Sequence, residues 1–188
     1  GLTETISYSL TSVESVGHLT PGAPAPRRED YVRVANPLTR EQEVLRQTLL
    51  NTTLETVARN LRFTERVAIF EIARVYLPVA GELLPKEPTH VAIALTGPRE
   101  PRSWLANQSP DLDFYDLKGA VEALGERLGV AGLSFEPTEH PTFRPGGWPA
   151  PAWTARGSAS SARCTRWWPT RSTWPGGRCT SPSSTWTR

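Results

Sequence analysis

From residue 144 to its end at Arg188 the chain uses only Arg, Pro, Gly, Trp, Ala, Thr, Ser and Cys. A stretch with no Leu, Val, Ile or Phe has little beyond Trp and Ala from which to build a core. The eight types also share a coding property, since each has a codon with G or C at its middle base. A GC-rich gene concentrates G or C at the third base, and a one-base slip moves that base to the middle. Residues 144–188 therefore read as an out-of-frame, disordered tail. Residues 1–143 are expected to form the folded, functional part.

That division changes what the composition means. The whole chain carries a formal charge of +2, but its tail holds seven Arg and no acid. Residues 1–143 have 14 basic and 19 acidic side chains, a net charge of −5. The basic balance belongs to the tail, and the acidic front gives no support to a nucleic-acid-binding role. Cys164, Cys179 and six of the seven Trp also lie in the tail, so the front offers no disulfide and no thiolate metal ligand. This fits a reducing, cytoplasmic setting. No apolar run reaches the roughly 18 residues of a membrane span. The opening Gly1-Leu2-Thr3-Glu4 has neither an initiator Met nor a signal-peptide pattern, and reads as the middle of a longer chain.

Hydrophobic periodicity places the elements. Thr5 to Leu10 alternates, with Ile6, Tyr8 and Leu10 apolar, which predicts a strand buried on one face. A Pro-rich loop follows at 20–28. Tyr31 to Ala35 alternates again and stops before Pro37. Apolar residues at three- and four-residue steps predict helix over 40–62, in two pieces broken and capped at Asn51-Thr52-Thr53. Residues 67–77 and 90–96 are rich in Val, Ile and Ala and predict two strands joined through 79–82. Asp116 to Leu128 reads as a helix capped by Asp116 and stopped at Gly129. Residues 133–136 read as a short strand. Strands and helices do not alternate regularly, so the fold expected is α+β, with an antiparallel sheet and flanking helices.

Few constellations suggest chemistry. Asp111, Asp113, Asp116 and Glu122 would suit a divalent metal, but acids before a helix satisfy its free N–H groups, and capping is the favoured reading. His18, His90 and His140 stand alone, with no paired-histidine spacing, nucleophile elbow or phosphate loop. Glu71 is either a buried acid or ligand or, the favoured reading, a residue facing solvent from an alternating strand. Arg166-Trp167-Trp168, Arg171 and Trp174 imitate a stacking segment for nucleic acid, but a reading-frame slip accounts for them without function. No catalytic, cofactor-binding or metal-binding residue is assigned.

An ordered set of strings resembles the core module of the β subunit of bacterial phenylalanyl-tRNA synthetase. It comprises Gly1-Leu2-Thr3-Glu4-Thr5-Ile6-Ser7-Tyr8-Ser9, Asn36-Pro37-Leu38-Thr39-Arg40-Glu41, Val44-Leu45-Arg46-Gln47-Thr48-Leu49-Leu50 and Ala58-Arg59-Asn60-Leu61. Phe70-Glu71-Ile72-Ala73-Arg74-Val75-Tyr76, Asp113-Phe114-Tyr115-Asp116-Leu117-Lys118-Gly119 and His140-Pro141 complete it. Residues 158–168, shifted by one base with GC-rich wobble choices, decode as Val-Gly-Val-Leu-Gly-Glu-Val-His-Pro-Val-Val. That is similar to the strand and turn this family places next.

The resemblance implies a truncated class II synthetase-like fold in a non-catalytic module that packs on an α subunit. The α subunit would attach phenylalanine to tRNA with ATP and magnesium, so tRNA is a partner through the holoenzyme and this chain holds no cofactor. Class II catalysis places an Arg after the second-motif strand to hold ATP phosphate, whereas here Arg74-Val75-Tyr76 runs into Leu77-Pro78. Two further departures are Ala73, where the family has Gly, and Asn51-Thr52-Thr53, where it has Pro-Gly-Leu. They imply a crowded strand and a looser helix start. The alternatives are a stand-alone synthetase-like scaffold without ligase activity, and a free-standing class II ligase.

Overall fold

A computed structural model of the chain describes residues 1–20, 23–101, 103–104, 109–130, 132–138, 152–157 and 160–164. In chain order the elements are β1 (Thr3–Glu4), β2 (Leu10–Thr11), α1 (Val13–Gly17), β3 (Val44–Leu45) and α2 (Leu50–Asn60). They continue with β4 (Val67–Arg74), β5 (Thr89–Thr96), α3 (Phe114–Arg127), β6 (Ser134–Thr138), β7 (Ala152–Gly157) and β8 (Ser160–Cys164).

The two expected apolar strands are the frame of the molecule. β4 and β5 pair antiparallel over eight positions, from Val67 opposite Thr96 to Arg74 opposite Thr89. Their ribbon continues past the last ladder pair, with Val75 N–H donating to Pro88 O at 3.0 Å and Leu77 N–H to Lys86 O at 2.9 Å. Side chains alternate across a strand, so the two faces of this ribbon meet different partners. Val67, Ile69 and Ala94 on one face pack with Val57 of α2. Ile93 and Leu95 on the other pack with Leu117 and Val121 of α3 and with Leu133 and Phe135. Helices on both faces of a hairpin make this a mixed α and β architecture. β1 joins the same sheet parallel to β4, so the antiparallel expectation does not extend to it.

Several boundaries differ from the sequence expectation, each for a physical reason. Residues 5–9 form no ladder strand, and their alternation is inverted. Ile6 is 92 % and Tyr8 78 % exposed, while Thr5 and Ser7 turn inward. Hydrogen bonding decides this, because Thr5 donates both N–H and hydroxyl to Phe70 O, at 2.8 and 3.2 Å. Tyr31 to Ala35 contributes a single bridge, Arg33 opposite Val44. The expected helix over 40–62 is a 3-10 turn at Arg40–Gln42, then β3, then α2. The break falls at 43–49 and not at Asn51-Thr52-Thr53, which lie inside α2. β3 is drawn out of the helical pattern by its antiparallel pairing with β2, Leu10 opposite Leu45 and Thr11 opposite Val44.

Within the segment expected to be disordered, 152–157 and 160–164 are strands, and the rest of 144–188 lies outside the described residues. β6, β7 and β8 form a separate antiparallel sheet, with Ser134 opposite Arg156 and Trp153 opposite Cys164. A composition argument weighs burial, whereas ladder pairing needs only backbone N–H and C=O groups, which nearly any sequence supplies. The expectation of disorder does not hold for those two strands.

Candidate functional site

The inverted alternation of residues 5–9 brings a charged cluster together inside the protein. Arg46 leaves β3 with its backbone pinned from both sides: its N–H donates to Ser9 O and its O accepts from Tyr76 N–H, each at 2.9 Å. Its side chain runs under the sheet. Nη1 donates to Glu71 Oε1 at 2.9 Å and to Ser7 Oγ at 2.7 Å, and Nε donates to Arg74 O at 3.2 Å. The Ser7 hydroxyl lies 2.7 and 2.8 Å from the two Glu71 oxygens, and Ser7 N–H donates to Oε1 at 3.2 Å. Ser7 thus gives its one hydroxyl proton to the carboxylate and takes Arg46 on a lone pair. Arg46 and Glu71 are each 2 % exposed.

This corrects the solvent-facing reading of Glu71. Glu71 sits on the same face of β4 as Val67 and Ile69, toward the interior, because the ladder's period of two puts it there. The cluster is also closed. Glu71 accepts from three donors and has no surface through which a substrate could reach it. A buried pair of this kind contributes little net stability over an apolar replacement, since desolvation offsets attraction. Its effect here is register: a one-residue slip of the N-terminal segment would carry Ser7 to the opposite face. The cluster therefore holds Gly1 to Ser9 in one alignment on β4.

Around it the remaining candidates separate. Arg74, the last residue of β4, pairs with Glu87 across the hairpin at 3.1 Å. The chain then turns back through the 77–86 bridge, so no arginine follows on the strand. Ala73 causes no break, and the ladder passes through it opposite His90. At the start of α2 no side chain caps Leu49. Instead buried Asn51 donates Nδ2 to Thr11 Oγ1 at 2.8 Å and to Ser15 Oγ at 3.3 Å, tethering the helix to α1. His18 closes α1 as its C-terminal cap, His90 lies on β5, and His140 falls outside the described residues.

The acids before α3 do what capping requires, with the roles shifted by three residues. Asp113, not Asp116, is the N-cap, accepting from Tyr115 N–H at 2.7 Å and from Asp116 N–H at 3.3 Å, while Asp113 N–H donates to Asp116 Oδ2 at 2.8 Å. This reciprocal pair is a capping box. Arg99 grips Asp116 with Nε on Oδ1 and Nη2 on Oδ2, both at 2.9 Å. The hydrogen bonds from Arg99 hold the Asp116 carboxyl below the usual aspartate range, and Asp116 in turn raises Arg99. Glu122 pairs with Lys118 one turn away at 3.0 Å. Among the described residues no three His, Cys, Asp or Glu side chains converge as a metal ion needs. Among the described residues this donor set does not fit magnesium, and the guanidinium groups of Arg74 and Arg46 are both engaged by protein carboxylates. No described helix is long and apolar enough to cross a membrane.

Sequence reasoning did not single out Arg46 or Ser7. Arg46 leaves one trace, a charge standing between Leu45 and the Leu49-Leu50 pair. Ser7 leaves none, since the apolar alternation around it points to the wrong face.

The fold is similar to that of solved tRNA synthetases. It superposes on a pyrrolysyl-tRNA synthetase from Desulfitobacterium hafniense with a TM-score of 0.58, at 13% identity over 86% of this chain and 50% of that one. A second crystal structure of pyrrolysyl-tRNA synthetase from that organism gives 0.55 at 12% identity. Identity this low concerns the fold alone. Residues 1–148 match the family described as the phenylalanyl tRNA synthetase beta chain CLM domain, and the chain belongs to that family. The phenylalanine–tRNA ligase beta subunit of Geobacter sulfurreducens is 40% identical over 144 residues, which cover 76% of this chain and 18% of the relative. That of Symbiobacterium thermophilum is 40% identical over 147 residues, 78% of this chain and 16% of the relative. The chain thus spans less than a fifth of the length of these relatives.

Proposed function

We propose that this chain serves as the non-catalytic class II-like core of a phenylalanyl-tRNA synthetase β chain, packed on an α subunit that performs the chemistry. The observation that carries this reading is the closed Arg46–Glu71–Ser7 cluster: the buried charges in the strand region build the module and face no substrate. The holoenzyme would be an ATP- and magnesium-dependent ligase acting on tRNA in the cytoplasm, where translation takes place. This chain contributes no catalytic, cofactor-binding or metal-binding residue to it. Support for a packing role comes from the apolar surface that the fold leaves bare. Ile72 at 52 % and Val91 at 45 % exposure sit opposite each other on β4 and β5, and Ile6 of the N-terminal segment is 92 % exposed. Exposed apolar groups of this kind mark protein contacts.

The domain reading is part of the same proposal, with 1–143 as the module and 144–188 as an out-of-frame tail. The family match stops at residue 148, a few residues after the change of composition at residue 144. Resequencing the DNA around the codons for Gly146 to Trp148 tests it, an intact frame being the adverse result. The functional reading is tested by co-expressing the chain with an α subunit. Co-purification, with no ATP–pyrophosphate exchange by the chain alone, is expected. Phenylalanine-dependent exchange by the isolated chain would establish a free-standing ligase instead, and a different specific partner would establish a scaffold.

A further inference from the structure

The last turn of α2 and the loop after it carry Arg59, Arg62 and Arg66 with Phe63 between them. Phe63 is 88 % exposed, yet its backbone is firmly held. Arg62 N–H donates to Arg59 O, while Phe63 and Thr64 N–H both donate to Asn60 O, at 2.9 and 3.1 Å. Thr64 Oγ1 then bridges Arg66, accepting from its N–H and donating to its O. Gly97 presses on the same loop, where a methyl group at its α-carbon would lie 2.0 Å from Glu65 O and 2.8 Å from Arg66 Cα. The result is a rigid platform bearing one bare ring.

The charges around that ring are not spent on the protein. Arg59 and Arg62 are exposed and make no ion pair among the described residues. Glu55, the acid one turn before Arg59, bonds Ser15 Oγ of α1 instead. Glu65 is the single acid of the segment and has an interaction of its own. The buried Nε of Arg66 has no partner. Unpaired guanidinium groups beside a bare aromatic face are the two elements with which proteins hold unpaired nucleotides, phosphate by charge and a base by stacking. The net charge of −5 on residues 1–143 does not oppose this, because screening confines each charge to about 10 Å at 0.1 M salt.

We propose that the Arg59–Arg66 turn is a single-stranded RNA contact, Phe63 stacking on a base while the exposed Arg59 and Arg62 hold the flanking phosphates. It is a site on this chain's own surface and goes beyond the subunit reading. The test titrates the full 188-residue chain against a fluorescein-labelled 12-nucleotide oligouridylate at several salt concentrations. The chain should bind. Phe63→Ala should weaken it about tenfold, within the range of one lost base stack. Arg59→Gln with Arg62→Gln should lower the salt slope by about 1.4, from roughly 0.7 per phosphate contact on a single strand. The pair Arg28→Gln with Arg40→Gln, on a different loop, should change neither. All substituted side chains are surface ones, and circular dichroism verifies that the variants stay folded. No binding at 20 mM salt overturns the proposal, as do unchanged affinity in Phe63→Ala or equal competition by polyglutamate, which would assign the turn to an acidic protein. Because no α subunit takes part, failure here leaves the subunit reading standing, and failed co-purification leaves this one standing.

Discussion

Replacing Arg46 alone should unfold more of this protein than replacing Arg46 and Glu71 together. In Arg46→Met the Glu71 carboxylate stays 2 % exposed and loses its cation. Arg74 O loses a donor too. Breaking a buried pair from one side costs about 3–5 kcal/mol. Glu71→Leu strands the guanidinium and should cost a similar amount, so independent effects would sum to about 8 kcal/mol. In the double variant no charge is left buried. The remaining cost is the Ser7 hydroxyl and N–H and the Arg74 O left without partners, about 1 kcal/mol each for these half-buried groups. Coupling between the two sites should therefore reach about 3–5 kcal/mol, far above the few tenths typical of independent sites. Urea unfolding followed by far-ultraviolet circular dichroism measures all four corners. If a single variant leaves too little folded protein, Glu71→Gln replaces Glu71→Leu at a smaller volume change. Additive costs within about 0.5 kcal/mol would refute the reasoning, because independent groups cannot form a closed pair.

Three other perturbations address the rest of the fold. Gly97→Ala combines a φ of +90° with a methyl 2.0 Å from Glu65 O, and should cost more than about 2 kcal/mol; a melting temperature within 2 °C of the parent would contradict the close approach. Asp113→Ala removes the N-cap of α3 and should cost about 1 kcal/mol in urea unfolding, whereas Asp111→Ala, three residues before that helix begins, should cost less. Arg99→Leu should raise the Asp116 carboxyl titration seen by NMR, since the hydrogen bonds from Arg99 are the largest cause of its low position. A carboxyl lowered on folding adds stability above its unfolded value of 3.8 and loses it as pH falls through the lower folded value. The stability gap between parent and Arg99→Leu should thus be open at pH 6 and close in acid, and a gap independent of pH would count against the pair.

Much of this protein was legible in order along the chain. The β4–β5 hairpin announced itself through Val, Ile and Ala runs because a ladder with a helix packed on each face needs apolar side chains on both. The helix at 114–127 was visible in its stripe and its acids, although which acid caps it depends on where the chain turns. The ordered strings over residues 1–143 carried the family. Other features are settled only when distant segments meet. Ile6 and Tyr8 look like core residues until the Thr5 bonds to Phe70 O turn them outward, and Glu71 looks exposed until Arg46 arrives from 25 positions earlier. The helical pattern of 40–62 gives way at β3 because β2 supplies it with ladder partners. In the tail, composition speaks of codons and says nothing of backbone pairing, which is how β7 and β8 came to lie beside β6. Local periodicity sets which elements a chain can form. The face each one buries is decided by hydrogen bonds and charges from far along the sequence, since those must be satisfied wherever water is excluded.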